Sequence, residues 1–176
     1  MLKGNILEDK STHTFSVVVD NKSGVLGRVV GMFAARGYNI DSLTVAEVDE
    51  NRSLSRITVM VTGTLMVIEQ IKAQLERIVP VRKVVDLNKE GAFVNRELVL
   101  VKIKGKGERR VESLRIADIF RARVIDSTNQ SFVFELTGSA EKIDAFIKLM
   151  EPLGLVEVSR TGAVAILRGE KALYKT

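Results

Sequence analysis

Two stretches of this 176-residue chain carry the same local pattern. Val61-Thr62-Gly63-Thr64 leads to Ile68 and Ile71, and Leu136-Thr137-Gly138-Ser139 leads to Ile143 and Phe146. Each reads as a strand end, a glycine, a hydroxyl that can cap a helix by accepting from a first-turn amide, and an apolar helix face in the same register. A supersecondary unit that recurs in one chain requires the fold to be built twice.

The flanking residues extend each copy into the same order. In the first, the apolar run Phe15-Ser16-Val17-Val18-Val19 predicts a strand closed by the turn-prone Asp20-Asn21-Lys22-Ser23-Gly24. Val25, Leu26, Val29, Val30 and Phe33 then recur at helical spacing, with Gly37 placed as a left-handed cap. Residues 40–48 predict a strand and residues 57–61 its antiparallel return. Thr64 opens a second helix carrying Val67, Ile68, Ile71 and Leu75, and residues 81–87 form the last strand. The order is βαββαβ.

The polar segment Asn88-Lys89-Glu90-Gly91 reads as a linker. Beyond it, residues 98–103 predict a strand, and Val111, Leu114, Ile119 and Phe120 a helical face. Val124-Ile125-Asp126 and residues 131–136 predict two more strands. Val156-Glu157-Val158 and Val164-Ala165-Ile166-Leu167 close the unit as a strand split by Thr161-Gly162. The expected fold class is α+β, two ferredoxin-like βαββαβ sandwiches in tandem. The first spans 13–87 and the second 96–176, each an antiparallel sheet covered on one face by two helices.

Composition narrows the chemistry. With no cysteine and a single histidine, His13, the chain offers no disulfide, no thiolate nucleophile and no metal site built on thiolates or paired imidazoles. Ser23, Ser42 and Ser53 have no imidazole near them in sequence, and no recognisable order pairs His13 with a carboxylate. Glu47, Asp49 and Glu50 read as solvated charge at a hairpin tip, not as a divalent-ion site. Gly105-Lys106-Gly107 lacks the spacing and the following hydroxyl of a phosphate loop. No apolar run is long enough to cross a bilayer, and Met1-Leu2-Lys3-Gly4-Asn5 lacks a signal-peptide core, so a cytoplasmic location and no membrane partner are expected. The expectation is a chain with no active site of its own.

The most informative segment is Asn21-Lys22-Ser23-Gly24-Val25-Leu26. A helix amino end presents unpaired amides and the positive end of the dipole, which suits a carboxylate if the backbone can be approached, and Gly24 permits that approach. The first turn, Gly24 to Gly27, carries no acid to occupy that end. Asn21 and Asn39 flank the helix, each offering an amide acceptor and two donors, while Val25, Leu26 and Ile40 supply apolar surface. This set suits a small amino-acid zwitterion. An ordinary strand-to-helix turn would also call for glycine and asparagine here.

His13 to Thr44, above all Asn21-Lys22-Ser23-Gly24-Val25-Leu26 and Arg36-Gly37-Tyr38-Asn39-Ile40-Asp41-Ser42-Leu43, closely resembles the ACT domain of acetolactate synthase small subunits. The resemblance continues through Leu54-Ser55-Arg56 and Glu69-Gln70-Ile71. In the second half it runs through Arg96-Glu97-Leu98, Leu100-Val101-Lys102, Ile119-Phe120-Arg121 and Lys142-Ile143-Asp144-Ala145-Phe146. It implies a non-catalytic regulatory subunit in branched-chain amino-acid biosynthesis. Such a subunit activates a large catalytic subunit that holds thiamine diphosphate, Mg and FAD, and confers feedback inhibition by valine or a related amino acid. It further implies that Asn21, Ser23, Gly24, Val25 and Leu26 of one chain, with Asn39 and Ile40 of another, line the effector site of an ACT homodimer.

Two other readings compete with this one. A net charge of +5 and a βαββαβ plan also fit a nucleic-acid-binding sheet. The basic residues Lys102, Lys104, Lys106, Arg109, Arg110, Arg121 and Arg123 have no interleaved aromatics on which bases could stack, so no nucleic-acid partner is expected. A free-standing amino-acid sensor with another target is the other alternative. The strand at 40–48 would lie at a sheet edge with neither Lys nor Pro in it, which favours pairing with a second copy.

Overall fold

The computed structural model describes residues 9–49, 51 and 53–173. The first part of the chain runs β1 (Ser11–Asp20), α1 (Val25–Ala35), β2 (Ser42–Glu47), β3 (Leu54–Gly63), α2 (Leu65–Glu76), β4 (Val81–Asp86) and the short α3 (Leu87–Glu90). Its sheet has the order β2-β3-β1-β4, with antiparallel neighbours throughout. The register pairs Phe15 with Val59 and Val17 with Ile57, so the alternating apolar residues of both strands share one face. That face is buried beneath Val25, Val29, Met32 and Phe33 of α1 and Ile68, Ile71 and Leu75 of α2. Each large side chain so buried contributes about 1.5–3 kcal/mol relative to exposure.

The helix ends follow from local chemistry. Gly37 adopts φ +66°, which lets its N–H donate to Ala34 O and the next amide, Tyr38, donate to Phe33 O, satisfying the last carbonyls of α1. Thr64 is extended, at φ −69° and ψ 160°, and its hydroxyl accepts from Val67 N at the start of α2.

The second part runs β5 (Phe93–Lys104), α4 (Glu108–Phe120), β6 (Arg123–Ser127), β7 (Ser131–Gly138), α5 (Ala140–Met150), a 3-10 turn (Glu151–Leu153), β8 (Leu155–Arg160) and β9 (Val164–Leu167). The strand order β6-β7-β5-β8 repeats that of the first sheet, and β9 pairs with β5. Val99, Val101, Ile103, Phe134 and Leu136 pack under Ile116 and Ala117 of α4 and Ile143, Phe146 and Met150 of α5. Phe134 meets Phe146 edge-on, with ring centres 6.3 Å apart. Ser139 repeats the cap of Thr64 at φ −70° and ψ 162°, accepting from Lys142 N. The fold is thus α+β with two ferredoxin-like units, as the repeat predicts.

Several sequence expectations are corrected. The described residues up to Val94 and those from Ala165 onward form one compact unit, and Asn95–Val164 forms the other. The last strand, β9, pairs with β5 of the second sheet, while by compactness the described residues from Ala165 onward group with the first part of the chain. Ala165, Leu167 and Leu173 are buried with Val85, Leu87 and Phe93, and Arg168 N donates to Ala92 O. Residues 88–91, read as a linker, are exposed, and they begin with a turn of helix at Leu87–Glu90 that Asp86 caps. Of the expected apolar face of α4, Phe120 packs against the core but the other three residues are turned outward. Val111 and Ile119 are each 67% exposed and Leu114 is exposed too, whereas Ser113, Ile116 and Ala117 face the core. Apolar residues lie on every side of this helix, so spacing alone did not single out the buried stripe. Finally, β2 begins at Ser42, and Ile40 precedes it.

Candidate functional site

The turn between β1 and α1 is built from backbone hydrogen bonds. Asn21 N donates to Ser53 O at 2.8 Å, Lys22 N to Asp20 O at 2.9 Å and Val25 N to Lys22 O at 3.3 Å. Asp20 anchors the turn through Arg82 and through Lys22 at 3.2 Å, and these cations, Arg82 foremost, hold its carboxyl below the usual aspartate range. Gly24 then opens α1 at φ +81° and ψ −5°, a left-handed conformation that a residue with a Cβ reaches only at a cost.

The helix end so formed is open. No side chain caps it and its first turn carries no acid. Arg28 N donates to Gly24 O, whereas the amides of Leu26 and Gly27 have no partner among the described residues. A Cβ placed on Gly24 would meet nothing within 4 Å, so the space beside this glycine is open. Unpaired N–H groups and the positive dipole end together suit a carboxylate.

The structure sorts the other expected residues. Ser23 and Asn39 are exposed, as is Asn21, whose amide donates to Glu47 Oε1 at 3.0 Å. Asn39 donates to Asp41 Oδ1 at 2.9 Å, and Thr62 donates to Asp41 Oδ2 at 2.7 Å. The two asparagines thus engage different carboxylates. Val25 departs from its expected role: its side chain is 4% exposed and belongs to the core, so only its backbone faces the helix end. Leu26, 41% exposed, is the apolar side chain left outside, and Ile40 is half-buried against the same core. On the far side of the sheet's free edge, β2 pairs with β3 alone.

Sequence reading missed one polar constellation entirely. His13 Nδ1 lies 2.8 Å from Asp86 Oδ2, and its Nε2 lies 3.1 Å from Ser11 Oγ. Asp86 is buried and also accepts from Asn88 N, so the pair ties β1 to the end of β4 and the turn after it. The only available signal, an aspartate at the end of a predicted strand, did not say which strand would lie beside His13.

The remaining candidates behave as structure. Asp49 accepts from the hydroxyl and amide of Ser53 and from Leu54 N, Glu47 binds Asn21, and Glu50 lies outside the described residues. Among the described residues no group of three or more His, Asp or Glu could hold a metal ion. No described helix is long and apolar enough to cross a membrane. Of the basic residues, Lys102 pairs with Glu157 at 2.6 Å, Arg110 stacks 3.7 Å above the Phe132 ring, and Lys106 lies past the end of β5.

A four-stranded antiparallel sheet of order β2-β3-β1-β4, with two helices on one face and a glycine-opened first helix, defines an ACT-type α+β unit. Residues 15–83 match the model of the acetohydroxyacid synthase (AHAS) small subunit-like ACT domain, and residues 96–169 match that of the small subunit of acetolactate synthase. The acetolactate synthase small subunit of Haemophilus influenzae is 45% identical, covering 89% of this chain and 95% of its own length. The acetolactate synthase isozyme 3 small subunit of Escherichia coli is 44% identical over 90% of this chain and 96% of its own. The crystal structure of the Thermotoga maritima acetolactate synthase small subunit superposes with a TM-score of 0.81 at 38% identity, covering 92% of this chain and 99% of that one. The chain belongs to the acetolactate synthase small-subunit family.

Proposed function

We propose that this chain is the regulatory, non-catalytic subunit of a cytoplasmic acetolactate synthase. It activates a large catalytic subunit, which carries the thiamine diphosphate, Mg and FAD, and it transmits feedback inhibition by valine or a related branched-chain amino acid. The observation that carries the reading is the uncapped amino end of α1, where a left-handed Gly24 leaves the Leu26 and Gly27 amides unpaired and no acid neutralises the dipole. The effector carboxylate binds there. Its ammonium is received by the side-chain carbonyls of Asn21 and Asn39, and its side chain packs on Leu26 and Ile40, with the second copy contributing Asn39 and Ile40 through pairing of the β2 edges. Ser23 lines the turn, and Val25 contributes its backbone.

The test is acetolactate formation by the catalytic subunit as this chain and valine are titrated. Expected are a rise in activity with the chain and a fall with valine, together with a saturable, valine-dependent rise in melting temperature of the chain alone. A rise in melting temperature without any effect on the catalytic subunit would instead identify a free-standing amino-acid sensor. No response of either measurement to valine, leucine or isoleucine would remove the effector class.

A further inference from the structure

We propose that the outer edge of β6 is a self-association surface that pairs antiparallel with β6 of a second copy of this chain. The strand Arg123–Ser127 hydrogen-bonds to β7 on one side only, and all five of its residues are exposed. Val124 and Ile125 are 44% and 52% exposed, although Val124 lies opposite the fully buried Phe134. The strand contains neither Lys nor Pro, the residues that most often keep an edge from pairing.

Its charges are self-complementary. The register shifts between Val124 and Asp126, which puts Arg123 opposite Glu135 and Asp126 opposite Val133. Because Glu135 and Val133 alternate along β7, Arg123 and Asp126 share one face of the sheet despite their odd spacing. Neither side chain has an ion-pair or hydrogen-bond partner among the described residues. At the opposite edge, by contrast, β8 is satisfied within its own unit: Glu157 pairs with Lys102, and Arg160 pairs with Glu97 at 2.5 Å and Asp144 at 2.7 Å.

A two-fold axis between Val124 and Ile125 sets Arg123 of each copy against Asp126 of the other and Val124 against Ile125. Symmetry makes each contact twice, and the exposed backbone row of each edge finds a partner. This edge belongs to the second unit, whereas β2 belongs to the first.

The absence of cysteine from the chain allows a direct test. Val124→Cys in the full-length chain, treated with a short bismaleimide, is expected to give a covalent dimer on a denaturing gel, whereas Lys106→Cys is not. Adding Arg123→Asp or Asp126→Arg to the Val124→Cys chain sets like charges face to face twice and should slow cross-linking at least tenfold. The two reversals together restore the complement and should recover the parent rate. Circular dichroism confirms that each variant is folded. A folded Val124→Cys chain that cross-links no faster than Lys106→Cys overturns the proposal, as do single reversals that cross-link at the parent rate or a double reversal that fails to recover it.

Discussion

The first helix of each unit opens on a positive-φ glycine without a side-chain cap, Gly24 at φ +81° and ψ −5° and Gly107 at φ +57° and ψ −130°. The second helix of each opens on a hydroxyl cap of nearly identical geometry, Thr64 and Ser139. Beyond the ψ of the glycine, the turn that follows it differs. α1 has no acid there, whereas α4 begins with Glu108, whose carboxylate lies at the positive end of its own helix. The same architecture is therefore built twice, but only the first unit leaves a helix end uncompensated.

Substitution at the two glycines should break this comparison most strongly. Gly24→Asp puts a carboxylate beside the bound effector's own. Two like charges about 4 Å apart at an effective dielectric near 20 repel by about 4 kcal/mol, roughly a thousandfold loss of affinity. Gly24→Asn tests the backbone alone, since asparagine tolerates the left-handed region without adding charge, and it should cost about tenfold or less. Gly107→Asp should leave the valine response unchanged. Valine inhibition curves of the reconstituted enzyme measure all three, and an equal effect at Gly107 would contradict the assignment to the first unit.

A smaller difference separates the buried carboxylates of the two units. Removing His13 leaves Asp86, 3% exposed, without its imidazole, and His13→Ala should cost about 2–4 kcal/mol of stability. The partner of Glu97 is Arg160, which water reaches in part, so Arg160→Ala should cost about 1–2 kcal/mol. Denaturant unfolding of the two variants ranks them, and a larger loss at Arg160 would reverse the reading.

The helix caps should be equivalent. Thr64→Ala and Ser139→Ala are each expected to cost about 1 kcal/mol, read as a shift in the unfolding midpoint at constant slope. A clear inequality would mean that the repeated caps do unequal work despite their matched geometry.

The smallest effect is in acid. Asp20 is held below its usual range by Arg82 and Lys22, and Glu157 by Lys102. A carboxyl with a depressed folded pKa adds stability above its unfolded value near 3.8 or 4.5, and loses that contribution as pH falls through the folded value. Melting temperature should therefore fall on acidification below about pH 4. Arg82→Met and Lys102→Met should each shallow that fall slightly, and added salt should mimic them because both pairs are exposed.

Much of this was legible in the sequence where the signal is short-range. Strand alternation at Phe15, Val17 and Val19, the cap at Thr64 and the stop at Gly37 are each decided within a few residues, and all were read correctly. The open helix end at Gly24 was legible for the same reason, although its positive φ was not. The pairing of His13 with Asp86 was not legible, because it depends on β4 lying beside β1. How far Val25 would be covered was not legible, because helical spacing marks an apolar stripe without saying how much of it the neighbouring helix and sheet will bury.

The sequence by itself determined two βαββαβ units, their helix caps and the acid-free start of α1, since propensity, periodicity and hydrogen-bond satisfaction act locally. Tertiary structure alone decided that residues from Ala165 join the first unit, which side of α4 is buried, and that Arg123 and Asp126 share a face. These outcomes depend on which apolar surfaces remain uncovered once the sheets have formed, and on a one-residue shift in register between β6 and β7. A free energy gained by closing contacts across most of the chain leaves no mark on the spacing of nearby residues.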